Sequence, residues 1–474
     1  MKQQAFNPYL PSWEYIPDGE PYVFDGRVYI YGSHDRFNGH AYCLNDYVTW
    51  SAPVDDLGNW RYEGVIYEKT QDPFNADGSM CLYAPDVTQG PDGRYYLYYV
   101  LDKKSVVSVA VCDSPAGKFQ FYGYVHYADG TLLGEREGDE PQFDPGVLTE
   151  GENTYLYTGF CFAGDKSRHG PMCTVLGPDM LTIRQEPMFI APSQPYSQGS
   201  GFEGHEFFEA PSIRKAGDTY YFIYSSVVFH ELCYATSKSP TQGFQYGGVI
   251  ISNNDLGIGT YKSADKPMYY GGNNHGSMVQ IGEKWYIFYH RQTNGTSFSR
   301  QAMAQEIQIL PDGSIPQVEM TSCGLNGGPL VGKGTYPAHI ACNLFCDWES
   351  TYSGGIAGNE YWVDVHCPRV TQDGRDGDQE PGYILNMIHS ATAGYKYFDC
   401  QGVTKVTLRV RGYCSGAFQI KTSWDGPVLG EIPVRFTNVW KDYSTQVELP
   451  DGVNALYFTY VGPGSAALLS FTLE

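Results

Sequence analysis

The chain has no concentration of positive charge. Lys and Arg number 31 against 53 Asp and Glu, a formal net charge of −22. Nucleic acid and anionic membrane surfaces are poor partners for that field. No apolar run approaches the roughly 18 residues that a membrane helix needs. The opening stretch, MKQQAFNPYLPSWEYIPDGEP, has no apolar core of a secretory signal, so the expected location is the cytoplasm. The 12 cysteines form no CxxC pair and no Cys/His spacing of a zinc site, and read as reduced core thiols. GxSxG, a P-loop, GxGxxG after a strand and HExxH are all missing. Acyl transfer, nucleotide chemistry and zincin chemistry therefore lack support.

What is abundant is aromatic. The 474 residues hold 40 Tyr, 55 Gly and 29 Pro, with an aromatic share of 15% and an apolar share of 42%. That length predicts two or three domains. The composition predicts short strands joined by tight turns. Tyr-rich surfaces also suit sugars, because the ring face is apolar while the hydroxyl still hydrogen-bonds.

One phrase recurs along the chain: GRVYIYGSHD, GRYYLYYV, NTYLYTGF, DTYYFIYSS and EKWYIFYHR. Its turn glycines, Gly26, Gly93, Gly151, Gly217 and Gly282, are spaced by 67, 58, 66 and 65 residues. Five hairpin units at such a period predict an all-β fold, a five-bladed β-propeller over residues 1–325. Seven or eight positions ahead of each glycine stands an ionisable residue: Asp18, Asp86, Asp144, Glu209 and His275. Singly, each would serve to cap its strand. In one register on five blades, they are expected to converge at one end of the central channel. Crowded carboxylates cannot all stay ionised, and that is how proteins keep a carboxylic acid protonated for catalysis.

Paired carboxylates without a Cys or Ser nucleophile motif point to glycosidic bond hydrolysis. One carboxylic acid protonates the departing oxygen while a second carboxylate activates water or attacks the anomeric carbon. A separation of roughly 6.5–9.5 Å gives inversion and about 5 Å gives retention. Opposite blades favour the wider gap.

The residues resemble glycoside hydrolase family 43. The resemblance rests on NPYLPSWEYIPD before VFDGRVYIYGSHD, on YAPDV, FDPGVLTE, FFEAPSIRK, and on NNHGSMVQ with YHR. It implies a five-bladed propeller and an inverting, exo-acting β-xylosidase or α-L-arabinofuranosidase working on plant-derived oligosaccharides. The other readings are a non-catalytic sugar-binding propeller and an exo-glycosidase acting on galactan. By resemblance, Asp18 is the general base, with Glu20 its rival, and Glu209 the general acid. Asp86 matches the residue that orients the acid and tunes its pKa. Arg300 matches an arginine that reaches the reacting sugar, and Asp144 a structural or sugar-binding position. No cofactor is required, although the resemblance allows a weakly held Ca2+ in the channel at His275, a site that one His and waters would leave mostly hydrated. Trp13 and Tyr83 are expected either as stacking platforms for sugar or as core aromatics. His34, His205, His230 and His290 either line the pocket or pack. Glu203 and Glu206 fall outside the register.

The five-fold phrase stops after Leu325. Residues 326–340 read as a Gly/Pro-rich linker. Residues 341–474 carry strands such as KVTLRVRGY, GAFQIKTSW and NALYFTYVG at about ten-residue intervals, which predicts an antiparallel, jelly-roll-like β-sandwich. This part resembles carbohydrate-binding modules of family 6. Neither oligomeric state nor the sugar cleaved is fixed by these patterns.

Overall fold

The computed structural model describes residues 3–258, 267–347 and 367–474. Among the described residues every regular element longer than a 3-10 turn is a strand, and no helix is long and apolar enough to cross a membrane. The first four sheets have four antiparallel strands each, in chain order from the innermost outward, and the fifth has three. The innermost strands are Glu20–Phe24, Leu82–Gln89, Gly146–Glu150, Phe207–Ala216 and Ser277–Ile281. Neighbouring innermost strands touch in a closed ring, first to second, third, fourth, fifth and back to first. This is the five-bladed propeller.

The recurring aromatic phrase forms the second strand of each blade. In Tyr95–Leu101 every residue is buried, because both faces of that strand pack between adjacent blades. Such a strand reads as a continuous apolar run and not as an alternation. The turn before it has its own chemistry. Phe24 pairs with Arg27, and the two residues between, Asp25 and Gly26, have φ of 47° and 75°. Paired left-handed residues make the tight hairpin whose twist matches the strands.

The N-terminal segment closes the ring. Asn7 donates from its side chain to the Ala304 carbonyl at 2.9 Å and accepts from Ala304 N at 3.0 Å, against the outermost strand of the fifth blade, Thr296–Ile307. Tyr9 and Leu10 join the core formed there with Val279 and Phe288.

Among the described residues the C-terminal part is a sandwich of two six-stranded sheets. The expected linker, however, is part of it. Leu330–Val331 pairs with the Thr392–Cys400 strand, and Gly334–Pro337 pairs with Gly464–Leu473. The Gly and Pro residues of this stretch mark turns between short strands, and composition alone does not separate that from a free connector. Of the tryptophans in this part of the chain, read from the sequence as sugar platforms or, for most, core residues, Trp348 and Trp362 lie outside the described residues. Trp424 packs against the Met268, Phe345 and Tyr457 cluster. Trp440 stacks beneath Arg411 at 4.3 Å.

Propeller and sandwich share one continuous apolar core, with Tyr221, Ile287 and Met303 on one side and Leu344, Tyr395 and Phe471 on the other. A buried cation sits in the seam. Lys396, on the Thr392–Cys400 strand, reaches Asp255 at 3.2 Å and Glu319 at 2.9 Å. Removing one partner of a buried pair leaves a charge uncompensated and costs about 3–5 kcal/mol. Lys396→Met is therefore expected to lower the melting temperature markedly. In scanning calorimetry the two domains should still melt in a single transition, because their core is shared; two separated transitions would contradict this.

Candidate active site

Asp18, Asp144, Glu209 and His275 meet at one end of the propeller axis, in a cleft of about 250 Å3 that Arg300 also lines. The register on the innermost strands explains why. Counting back from each hairpin turn, Asp18, Asp144 and His275 occupy the same level. On the fourth blade that level is Ala210, and an irregularity in the pairing on either side of Glu209 turns the glutamate into the cleft. The backbone is strained at this level: Asp18, Asp144 and Ala210 have φ of 59°, 45° and 65°. Left-handed conformations at side-chain-bearing residues cluster at functional sites.

Asp86 is not at this level, which corrects its expected place beside the acid. The second blade's hairpin is one residue longer, with Gln89 paired to Tyr95 and Gly90 N bonded to the Arg94 carbonyl. Counting from Gly93 therefore put Asp86 in the wrong layer. The second blade contributes Tyr83 and Ala84 to the cleft. Asp86 lies deeper, fully buried, where it accepts hydrogen bonds from Tyr22 Oη, Val87 N and Val147 N, each at 2.7 Å. The carboxyl group beside Glu209 in the cleft is that of Asp144, whose Oδ2 accepts from Ala210 N at 3.2 Å.

Asp18 is held by three cationic or polar neighbours. Arg300 Nη1 donates to its Oδ1 at 3.0 Å, His290 Nδ1 lies 3.3 Å from the same oxygen, and His275 Nδ1 is 3.7 Å away. Burial alone would raise its pKa, but Arg300 and the histidines outweigh that and hold it well below the usual carboxylate range. Glu209 is the opposite case. Burial, and after it the charge of Asp18, push its carboxyl up to about 8, against a hydrogen bond from Asn273 and the pull of Arg300, which lower it. Asp144 is raised well above its ordinary value by burial, Glu209 and Asp18. One small cleft thus presents an ionised carboxylate and a protonated carboxylic acid at the same pH. Desolvation lowers His275 to about 4, so it is neutral.

Arg300 is positioned by Asp35, the aspartate of the GSHD stretch. Asp35 takes Nε at 2.8 Å and Nη2 at 2.9 Å, a two-point grip that fixes the plane of the guanidinium. The cleft wall beside Glu209 is apolar, with Phe143, Phe160, Phe162 and Phe208. Phe208 was legible as the apolar neighbour of Glu209, but sequence reasoning missed Phe143, Phe160, Phe162 and Asn273, because no periodicity separates a wall residue from a core residue.

The remaining expectations divide. Tyr83 lines the cleft, whereas Trp13 packs on Trp50 and the fifth-blade core, outside the lining. Glu20 is buried below the cleft and paired with Arg214 at 2.6 Å; it does not line the cleft as the rival base was expected to. Glu206 accepts from Ser197 Oγ at 2.7 Å and Gly204 N at 3.1 Å. Glu203 caps a turn through Gly201 N at 2.9 Å. Both are structural. His205 pairs with Glu231 at 2.6 Å and His34 with Glu14 at 3.0 Å. His230 bonds to Ser252 Oγ at 2.9 Å. Of these four histidines only His290 touches the site.

The sandwich holds a loop of this site. Residues 35–45 carry Asp35, Tyr42 and Cys43. Asp376 of the sandwich accepts from Phe37 N at 2.7 Å and from Asn45 Nδ2 at 3.1 Å.

A model of glycosyl hydrolases family 43 matches residues 17–315. A relative from Thermoclostridium stercorarium, named a xylosidase/arabinosidase, is 73% identical over 473 residues, covering 100% of this chain and 99% of its own. A structure of a family 43 arabinoxylan arabinofuranohydrolase from Bacillus subtilis covers 98% of this chain and 97% of that chain with a TM-score of 0.52 at 21% identity, which supports the fold of both domains. A β-xylosidase/α-arabinofuranosidase from a compost microbial metagenome, solved with xylotriose in a calcium-free form, is 26% identical. It covers 65% of this chain and 96% of that chain, with a TM-score of 0.51.

Two outcomes are expected. Asp376→Ala, which frees the loop that carries Asp35, should lower kcat/KM about tenfold with little change in melting temperature, the scale of a charge-assisted hydrogen bond; steady-state kinetics on the full chain checks it. Glu209→Gln should raise the melting temperature at pH 7 by a few degrees. Between its ordinary 4.5 and about 8, the unfolded chain has released this proton and the folded chain has not, so stability falls as pH rises through that window. Glutamine removes the penalty, and calorimetry at pH 5 and pH 7 should show the gain only at the higher value.

Proposed function

The chain belongs to glycosyl hydrolase family 43, and on that premise we propose that Asp18 is the general base, Glu209 the general acid and Asp144 the carboxyl group that keeps the acid oriented and protonated. The enzyme is an inverting, exo-acting glycoside hydrolase of the xylosidase/arabinofuranosidase kind. Its substrate in this reading is a short oligosaccharide with a terminal β-xylosyl or α-L-arabinofuranosyl unit, taken up and cleaved in the cytoplasm. A cleft of about 250 Å3 is smaller than the roughly 300–1,000 Å3 of sites that enclose a drug-sized ligand, which favours a chain end over the middle of a polymer.

The single observation that carries the assignment is the contrast across that cleft between Asp18, bonded to Arg300 at 3.0 Å, and Glu209, set against an apolar wall, which favours an ionised Asp18 and a protonated Glu209. In one step, Asp18 removes a proton from water, the water oxygen bonds to the anomeric carbon, and the bond to the leaving oxygen breaks. That oxygen receives the Glu209 proton, and the released sugar has the inverted anomeric configuration. Arg300 has two tasks. Its two-point bond to Asp35 leaves Nη1 facing the cleft, where it grips Asp18 and suits a sugar hydroxyl. A base so strongly stabilised is a weak proton acceptor. A substrate hydroxyl that draws Nη1 away from Asp18 raises its basicity as the substrate binds.

Glu209→Gln is expected to lower kcat on unactivated disaccharides by about 10^2–10^4. It should cost far less on dinitrophenyl glycosides, whose leaving group needs no proton. Asp18→Asn should abolish both. NMR of the first-formed anomer should show inversion, and wild-type kcat/KM should fall as pH rises through about 8, where Glu209 loses its proton. Retention of configuration would make Asp18 a nucleophile and not a base, and equal losses on both substrates for Glu209→Gln would remove Glu209 from the role of acid.

A further inference from the structure

Below the cleft the axis holds a second charged cluster that the reaction leaves unused. Its layer takes one residue from each blade: Glu20, Asp86, Gly146, Ser212 and Ser277. Arg214, one level deeper on the fourth blade, sends its guanidinium into it. Arg214 Nη2 donates to Glu20 Oε2 at 2.6 Å, and the guanidinium lies 4.3 Å from the ring centroid of Tyr22, whose hydroxyl donates to Asp86. Ser212 Oγ donates to Glu20 Oε2 at 3.1 Å and lies 2.8 Å from Ser277 Oγ. Glu20, Asp86 and Arg214 are all buried. His275 stands between this cluster and the cleft, with Nε2 4.0 Å from Glu20 Oε1 and Nδ1 3.7 Å from both Asp18 and Asp144.

A calcium ion, which the resemblance allowed at His275, does not fit these residues. Calcium takes 6–8 oxygens at about 2.3–2.6 Å. The only carboxylate oxygen of this layer with no hydrogen-bond partner is Glu20 Oε1. A divalent ion beside it would also face a buried guanidinium, and like charges so close repel strongly in a low-dielectric interior. The layer moreover already holds a cation, since Arg214 Nη2 stands 2.6 Å from Glu20 Oε2.

We propose that Arg214 is the built-in cation of the propeller axis, occupying the role a bound divalent ion would have there, and that this enzyme works without a metal. Arg214 is then a positioning residue: it fixes Glu20, Glu20 faces His275, and His275 stands between Asp18 and Asp144. The inference rests on the glycosidase reading for its activity arm only.

The experiment uses the full chain, wild type and two variants. Wild-type protein treated with EDTA should contain no stoichiometric calcium by elemental analysis. Its melting temperature and kcat/KM should be unchanged by EDTA and by added Ca2+. Arg214→Ala should lower kcat/KM about 10–100-fold, as losses of outer-shell support do, and lower the melting temperature. In that variant alone, Ca2+ should raise the melting temperature and recover part of the activity, because Glu20 and Asp86 are left facing a vacated space. Arg214→Lys should keep most of the stability and remain insensitive to Ca2+. One calcium per wild-type chain, or a wild-type melting temperature that falls with EDTA and returns with Ca2+, overturns the proposal. So does an Arg214→Ala protein that folds and responds to no divalent ion. If that variant does not fold, the wild-type calcium content and melting temperature decide. These two readouts do not depend on which glycoside is cleaved, so a failed function assignment leaves them intact.

Discussion

The axis of the propeller holds more carboxyl groups than cations, and the chemistry follows from that shortage. Asp18, Asp35, Asp144 and Glu209 crowd around Arg300 at the cleft, and Glu20 and Asp86 around Arg214 beneath it. Each blade contributes one residue per level, and all are buried, so water cannot spread the charge. Arg300 spends its contacts on Asp35 and Asp18, which leaves Asp144 and Glu209 without a full counter-charge. At the cleft those two are the carboxyl groups whose pKa rises. A protonated acid at neutral pH is thus a consequence of where the two guanidinium groups are placed.

The same crowding is costly to the fold. Asp18, Asp144 and Ala210 sit in left-handed backbone conformations, each disfavoured by about 1–3 kcal/mol. They persist because the surroundings over-determine them: closely apposed innermost strands, the N-terminal segment laid along the fifth blade, and a core continuous with the sandwich. At Gly146 the neighbouring strand is so near that a Cβ would stand 2.3 Å from the Pro211 carbonyl oxygen. That close approach brings Asp144 and the Glu209–Pro211 stretch together. The sandwich adds to this. Asp376 holds the loop that carries Asp35, and Tyr15, three residues before Asp18, bonds to Gln372 of the sandwich at 2.7 Å.

Much of this was legible in the sequence, because repetition is a strong signal. Five aromatic phrases at a near-constant period gave the blades, and the ionisable residues ahead of them gave four of the five groups at the cleft. The failures have a common cause. Register was counted from a glycine, but the glycine does not hold a constant place in the turn: it is second in Asp25–Gly26, first in Gly151–Glu152 and third in Pro91–Asp92–Gly93. That slip moved Asp86 one level up, and a side chain one level down belongs to a different electrostatic cluster. Glu209 was singled out because a bulge made its spacing eight as well, so a residue that lines the cleft was reached although the regular position is Ala210. The linker was misread because Gly and Pro report turns without reporting what the strands between them pair with. Trp13 and the cleft phenylalanines illustrate the same limit, since hydrophobicity is identical on a core face and a cleft wall.

Two cations at different depths also separate two tasks. Arg300 faces the cleft, so a substrate can compete for it; Arg214 is sealed beneath His275, so a substrate cannot. The upper pair is therefore able to change its bonding during a turnover while the lower one stays fixed. A mobile divalent ion in the lower position would couple the protonation of Asp144 and Glu209 to its own occupancy, because each added positive charge on the axis lowers the pKa of a neighbouring carboxyl. Loss of the ion would shift the acid in one direction and gain in the other. A cation tied to the Phe207–Ala216 strand, the strand that also carries Glu209, removes that dependence: acid and counter-charge are set by one piece of backbone.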